Sequence, residues 1–360
     1  MDSGSTLLRR GEVSGRRPRE SVDPLGERSG KAARVREKRL FVLVCAALAA
    51  FAVCIAGVAA GTLSFGPAEI WSGIRGVSSE PLANQIIRNI RLPRILTGLF
   101  AGMNLAVAGA LLQGILRNPL TSPHIIGVNA GAGFMAVIVM IALPGRVEWI
   151  PPGAFAGALL AALLVYGLSL AARSGETVRI ILAGVAVSAL LSALTSGLMF
   201  LNSDQLEVTY GWLLGSLSGR GWSYFNLLWP YSLAGIAAGV ALAPKVNLFS
   251  LGDEIGSSLG LRVPLYRVVL LVVASVLAGS AVSVAGTIGF VGLMAPHLAR
   301  LMVGNDYRYS LILSAMLGGI LLAVSDTLAR TLFQPVELSV GIVTAVLGAP
   351  FFLFLLFTKR

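Results

Sequence analysis

An all-α, polytopic membrane fold of about ten helices is predicted by three observations: an apolar composition, a series of apolar runs long enough to cross a bilayer, and glycines spaced for close helix packing. Hydrophobic residues make up 56% of the 360 residues, charged residues only 12%, and the mean hydropathy is +0.81. A water-soluble chain carries about 25% charged residues. Lipid is therefore the main solvent, and a backbone in lipid must pair its polar groups within each helix.

The apolar windows place spans at Leu40 to Ala60, Leu92 to Leu116, Ile125 to Leu143, Pro151 to Ala172 and Val178 to Leu201. The remaining five lie at Tyr224 to Ala243, Leu265 to Val284, Thr287 to Met302, Ser310 to Leu328 and Ser339 to Phe357. The eighth is short and holds Pro296, so it is expected as a broken or partial helix, and Ser203 to Trp222 is expected to hold a further half-buried one. Among the 42 glycines, Gly98 and Gly102, Gly127 and Gly131, Gly153 and Gly157, and Gly235 and Gly239 form small-xxx-small pairs. Such pairs let helix backbones approach closely, which predicts a tightly packed bundle. A possible inverted repeat is also present: Ala101, Gly102, Val107, Ala108, Gly109, Leu116 and Pro119 recur 177 residues later, from Ala278 to Pro296.

Residues 1–39 differ from the rest. They hold eleven Lys or Arg and six Asp or Glu among Gly, Ser and Pro, which predicts a basic disordered tail ahead of a transmembrane domain over 40–360. The tail has no signal-peptide h-region or cleavage site and runs directly into the first span. Anionic lipid headgroups are its expected partner, and no nucleic acid is. With the N-terminus inside, the tail holds eleven basic residues, the other inner segments ten and the outer segments seven, which favours both termini in the cytoplasm.

No phosphate-binding G-x-x-x-x-G-K-[ST] and no H-E-x-x-H occurs, and His124 and His297 lie far apart. Cys45 and Cys54 fall nine residues apart in one span, at different depths. No cofactor, metal site or enzyme centre is expected in this chain, so ATP-driven transport would need a partner subunit. Asp326 and Arg330, spaced i and i+4 in the ninth span, are expected to form an intramembrane ion pair; the alternative is a proton site in an ion-coupled carrier. Arg91 and Arg94, with Arg330, put positive charge at the outer face, either as a docking surface for an acidic partner or as headgroup-snorkelling side chains. Lys245 to Pro264 is expected as a polar insert of short helices lying on the membrane surface.

Several of these segments together resemble FecCD-type permeases, the membrane subunits of ATP-binding-cassette (ABC) importers for ferric siderophores, haem and cobalamin. The resemblance covers Thr62 to Arg360 and is carried by RLPR at Arg91 to Arg94, GALLQGILRNPLTSPHIIGVNAGAG from Gly109 and SLGDEIGSSLGLRV from Ser250. GTIGFVGLMAPHLARLMVG from Gly286 and ELSVGIVTAVLGAPFFLFLL from Glu337 extend it. It implies ten helices per subunit and a substrate path between two subunits, a second copy or a paralogue, lined by small and apolar residues.

The same resemblance implies that Arg91, Arg94 and Arg330 dock an extracytoplasmic substrate-binding protein. It implies that an ABC ATPase subunit seats on coupling helices at Ser250, Leu251, Gly252, Asp253, Glu254, Ser258, Leu259 and Gly260. Asn118, Pro119 and Leu120 match part of the cytoplasmic gate, with Ser174 to Thr177 a further candidate. The segment TYGWLLGSLSGRGW from Thr209 is similar to siderophore permeases, so a ferric siderophore is the expected cargo, with haem or cobalamin as the alternative. His124 departs from the pattern, since that position often carries Asp or Gly.

Overall fold

In a medium that offers no hydrogen bonds, an apolar run closes its backbone onto itself, and each of the ten runs expected as a span is helical. The structure is a computed structural model that describes residues 24–61, 63, 65–76, 81–170 and 176–358. Along the chain follow α1 (Pro24–Ala59), α2 (Pro67–Arg75), α3 (Pro81–Gln85), a π-helical turn (Ile86–Arg91), α4 (Leu92–Ile115), α5 (Val128–Ala142) and α6 (Ile150–Leu170). Then come α7 (Glu176–Leu201), α8 (Leu206–Leu213), α9 (Trp222–Ser250), α10 (Asp253–Ser258), α11 (Val263–Ala285), α12 (Val291–Val303), α13 (Tyr307–Thr331) and α14 (Val340–Thr358). Among the described residues there is no strand. Seven helices are long and apolar enough to cross a membrane, and α5, α12 and α14 are shorter apolar helices. The chain is a multi-pass membrane protein.

Helix α4 is the axis of the bundle. It packs against α9, α11, α12 and α13, and nearly every residue from Ala101 to Ile115 is buried. Glycine makes that approach possible. A Cβ on Gly102 would meet the backbone carbonyl of Gly318, and one on Gly109 would meet that of Gly292. Gly131 and Gly157, members of two different predicted pairs, face each other across α5 and α6. One polar group ties the centre: the Asn104 amide donates to Ser232 Oγ at 2.8 Å and Ser280 Oγ at 3.1 Å, joining α4 to α9 and α11. The second copy of the sequence repeat, Ala278 to Pro296, is divided between the end of α11 and the start of α12.

The structure departs from expectation in three places. Residues 24–39, expected as disordered tail, form the first turns of α1; Ala, Arg, Lys and Glu are strong helix formers, and the adjoining span nucleates the helix for them. Residues 1–23 of that tail lie outside the described residues. Lys245 to Ser250, expected within a surface insert, complete α9 instead: Ala243, Val246 and Phe249 are buried, while Asn247 donates to Asp306 Oδ1 at 2.9 Å and accepts from the Tyr307 amide at 2.9 Å. The eighth span begins only at Val291, because Phe290 sits in the left-handed region with φ 65°, and the helix then runs on through Pro296. The half-buried helix expected after Ser203 is α8, with Thr209 and Trp212 buried. Ser174, in the further gate candidate, lies outside the described residues, and nothing is described of the side chains up to Thr177.

Candidate translocation path, coupling segment and arginine cluster

At the end of the bundle where α4 begins and α13 finishes, Arg91, Arg94 and Arg330 converge, as their sequence positions suggested. They are not presented outward. Their exposures are only 6%, 8% and 8%, and each guanidinium is occupied. The π-helical turn points Arg91 at the chain following α1, where it donates to the carbonyls of Val58 at 2.9 Å, Ala59 at 3.0 Å and Leu63 at 2.6 Å, with Phe65 stacked 5.0 Å from it. Arg330 donates to the Gly57 carbonyl. All three are thus turned to acceptors of this chain, Arg91 and Arg330 to carbonyls at helix ends that would otherwise be unpaired.

The expected ion pair of Asp326 with Arg330 is present at the limit of contact, and a second arginine joins it. The main partner of Asp326 is Arg94, which donates from Nη2 to Oδ1 at 2.9 Å and from Nε to Oδ2 at 3.0 Å; Arg330 Nε stands 4.0 Å away. The fork geometry of a guanidinium matches a carboxylate, and the i,i+4 neighbour does not reach it squarely. Arg94 also donates to Glu337 Oε2 at 3.0 Å, so one arginine on α4 holds α13 and the chain ahead of α14.

At the opposite end, Asn118, Pro119 and Leu120 form a turn after α4: Asn118 Oδ1 accepts from the Leu120 amide at 2.9 Å and its carbonyl from Thr121 at 3.2 Å. Ser250 closes α9, and Leu251 and Gly252 turn the chain, Gly252 with φ 106°, a conformation that favours glycine. Asp253, Glu254 and Ser258 then lie on the six-residue α10, which ends at Leu259 and Gly260. Asp253 Oδ2 accepts from Arg267 at 2.7 Å, pinning α10 to α11. Leu251, Ile255 and Leu259 are exposed beyond the bundle. An exposed apolar patch beside a short, anchored helix is a candidate interaction surface. Leu259→Asp is expected to leave the melting temperature unchanged, because this side chain packs little against its own chain.

Between α5, α7 and α8 lies a cavity of about 530 Å³ that the sequence reading missed. Ser188, Ser192, Thr195 and Ser196 line it from one face of α7, facing Asn129, Tyr210, Thr287 and His124. The i, i+4, i+7, i+8 spacing of those hydroxyls was legible as a polar stripe. Thr195 donates to the Leu191 carbonyl at 2.7 Å and Ser196 to that of Ser192 at 3.0 Å, so their protons are spent on the helix and their lone pairs face the cavity. Among the described residues, the ionisable side chains that line it are His124 and the Tyr210 phenol. Among the described residues, no group of three or more His, Cys, Asp or Glu is placed to hold a metal.

The model of the FecCD transport family matches residues 36–358. The chain belongs to this family. Among its FecCD relatives, the Fe(3+)-citrate import system permease protein YfmE of Bacillus subtilis (strain 168) is 37% identical over 327 residues, covering 91% of this chain and 97% of the relative. The cobalamin import system permease protein BtuC of Halobacterium salinarum (strain ATCC 700922 / JCM 11081 / NRC-1) is 44% identical over 275 residues, 76% of this chain and 74% of that one. A solved chain of a metal-chelate type ABC transporter in an inward-facing conformation superposes with a TM-score of 0.80 at 29% identity, covering 88% of this chain and 99% of its own.

Proposed function

We propose that this FecCD chain is the permease subunit of an ABC importer that carries ferric siderophores across the cytoplasmic membrane, with both termini in the cytoplasm and residues 40–360 as the permease domain. The observation that carries this reading is the family match over 36–358, together with relatives named as permeases of iron-chelate and cobalamin import systems. The ATPase subunit seats on Ser250 to Gly260. Asn118 to Leu120 belong to the cytoplasmic gate. A substrate-binding protein docks at the opposite end; because Arg91, Arg94 and Arg330 are engaged internally, its acidic residue exchanges with Glu337, whose side chain is 41% exposed, for Arg94.

The hydroxyl-lined cavity is the permease wall of the path. Ser192 and Ser196 are exposed on a membrane-spanning helix, where lipid is a poor neighbour for hydroxyls, so a second permease copy or paralogue and water cover that face. Neutral acceptors hold a bulky chelate weakly, which suits transit. Asp326 is enclosed with 2% side-chain exposure and bound by Arg94, which leaves a transported proton no open carboxylate and disfavours the ion-coupled carrier.

The test is substrate-stimulated ATP hydrolysis. The chain, co-purified with its ATPase subunit and reconstituted in liposomes, is offered a binding protein loaded with ferric siderophore, haem or cobalamin. Stimulation by the siderophore-loaded protein is the expected result. Stimulation only by haem or cobalamin overturns the cargo, and uptake that survives ATP depletion but not a proton uncoupler overturns the importer.

A further inference from the structure

A second cavity, of about 320 Å³, lies at the end of the bundle where α4, α9 and α12 finish and α13 begins. Two guanidiniums line it, Arg117 and Arg300, together with Gln113, Ser250, Asn305 and Tyr307, and no carboxylate does. Arg300 is fixed: its Nη2 donates to Gln113 Oε1 at 2.6 Å, while the Gln113 amide donates to the carbonyls of Thr121 and Gly292, each at 3.1 Å. Arg117 is exposed, and among the described residues its guanidinium has no hydrogen bond or ion pair. The nearby acids make no ion pair with either, although Asp253 keeps one carboxylate oxygen, Oδ1, without a hydrogen-bond partner. Asp253 is bound to Arg267 at 2.7 Å, and Asp306 accepts from Asn247 at 2.9 Å with Arg39 at 3.7 Å. Two cations therefore share a pocket of uncharged hydrogen-bonding groups without a counter-ion.

The backbone of Arg117 sets where its side chain lies. It adopts φ 47°, the left-handed conformation that ends α4, where the Asn118 amide donates to the Gln113 carbonyl at 3.2 Å. That twist lays the side chain against the turn before α10, with Nη1 3.2 Å from where a Cβ on Gly252 would sit. An anion held by Arg117 and Arg300 thereby connects the coupling turn to α12 and to the central helix.

We infer that this cavity receives an acidic side chain of the ATPase subunit, an anchor beside the apolar coupling surface. The inference rests on the proposed function, in which that subunit docks on Ser250 to Gly260. A lipid headgroup is the poorer occupant, because α4 is the innermost helix and its end is surrounded by α9, α12 and α13, away from the lipid perimeter. A protein seated on α10 reaches the cavity directly, since Ser250 belongs to both. A carboxylate accepts from two guanidiniums with charge-assisted bonds, which fix register as well as adding affinity.

The experiment uses the full chain in lipid nanodiscs and its ATPase subunit, with affinity and melting temperature measured for wild type, Arg117→Gly and Arg117→Glu. Glycine relaxes the left-handed backbone, so Arg117→Gly is expected to melt at or slightly above the wild-type temperature while binding the ATPase about tenfold more weakly. Arg117→Glu should bind more weakly still, and one Asp→Lys or Glu→Lys change on the ATPase surface should restore its binding. Unchanged affinity in both variants, with wild type bound normally, overturns this inference and leaves the importer reading intact. Inorganic phosphate that raises the melting temperature of wild type but not of Arg117→Gly, with equal ATPase affinities, assigns the cavity to a soluble anion and overturns it also. Failure of the wild-type chain to bind any ATPase removes the importer reading itself.

Discussion

Arg94→Ala is expected to destabilise the folded permease by about 3–5 kcal/mol, the cost of stranding a buried acid whose partner is removed. Asp326 has 2% side-chain exposure and takes both of its short hydrogen bonds from Arg94, and Arg330 at 4.0 Å is too far to replace them. The same truncation releases Glu337, and with it the tie from α4 to the chain ahead of α14. In a thermal melt of the purified protein the expected fall is on the order of 10 °C. Arg94→Met combined with Asp326→Leu should recover most of the loss, because an apolar pair removes the stranded charge. A fall of less than about 2 °C for Arg94→Ala would mean that water reaches Asp326. One consequence concerns docking: loss of binding-protein affinity in Arg94→Glu, on its own, does not identify a docking arginine, because the fold is expected to suffer first.

Gly109→Ala is expected to be the most damaging single methyl in the bundle. The new Cβ would press on the backbone carbonyl of Gly292, and backbone, unlike a side chain, cannot rotate aside, so α4 and α12 must separate along their length. Overpacking of this kind costs about 1–3 kcal/mol or more, and folded yield from the membrane should fall with it. Gly167→Ala in α6 is the matched control. Nothing lies within 4 Å of its Cβ position, so the helix-propensity gain of about 0.5–1 kcal/mol should appear as an equal or higher melting temperature. Equal melting temperatures for the two variants would remove close glycine packing as an explanation of the bundle.

The sequence located all ten helical spans, the half-buried α8, some of the glycines at close helix contacts, Gly102, Gly131 and Gly157 among them, and the arginines that converge at one end. Those features are local: an apolar run in lipid has no alternative to a helix, and a glycine is small wherever it lies. The polar stripe Ser188, Ser192, Thr195 and Ser196 was equally local and readable from its spacing, yet only the packing of α5 and α8 against α7 makes it a cavity wall. Lys245 to Ser250 misled because composition marked them as surface, while the buried partners of Val246, Asn247 and Phe249 come from α13 and elsewhere in the bundle. Tertiary structure alone decided the charges. Arg94 and Asp326 are 232 residues apart, and their pairing depends on the rotation and depth of α4 against α13, which no periodicity records. Composition and hydropathy by themselves determined that this chain crosses the membrane as a helical bundle; which buried cation meets which acid was settled only by how those helices pack.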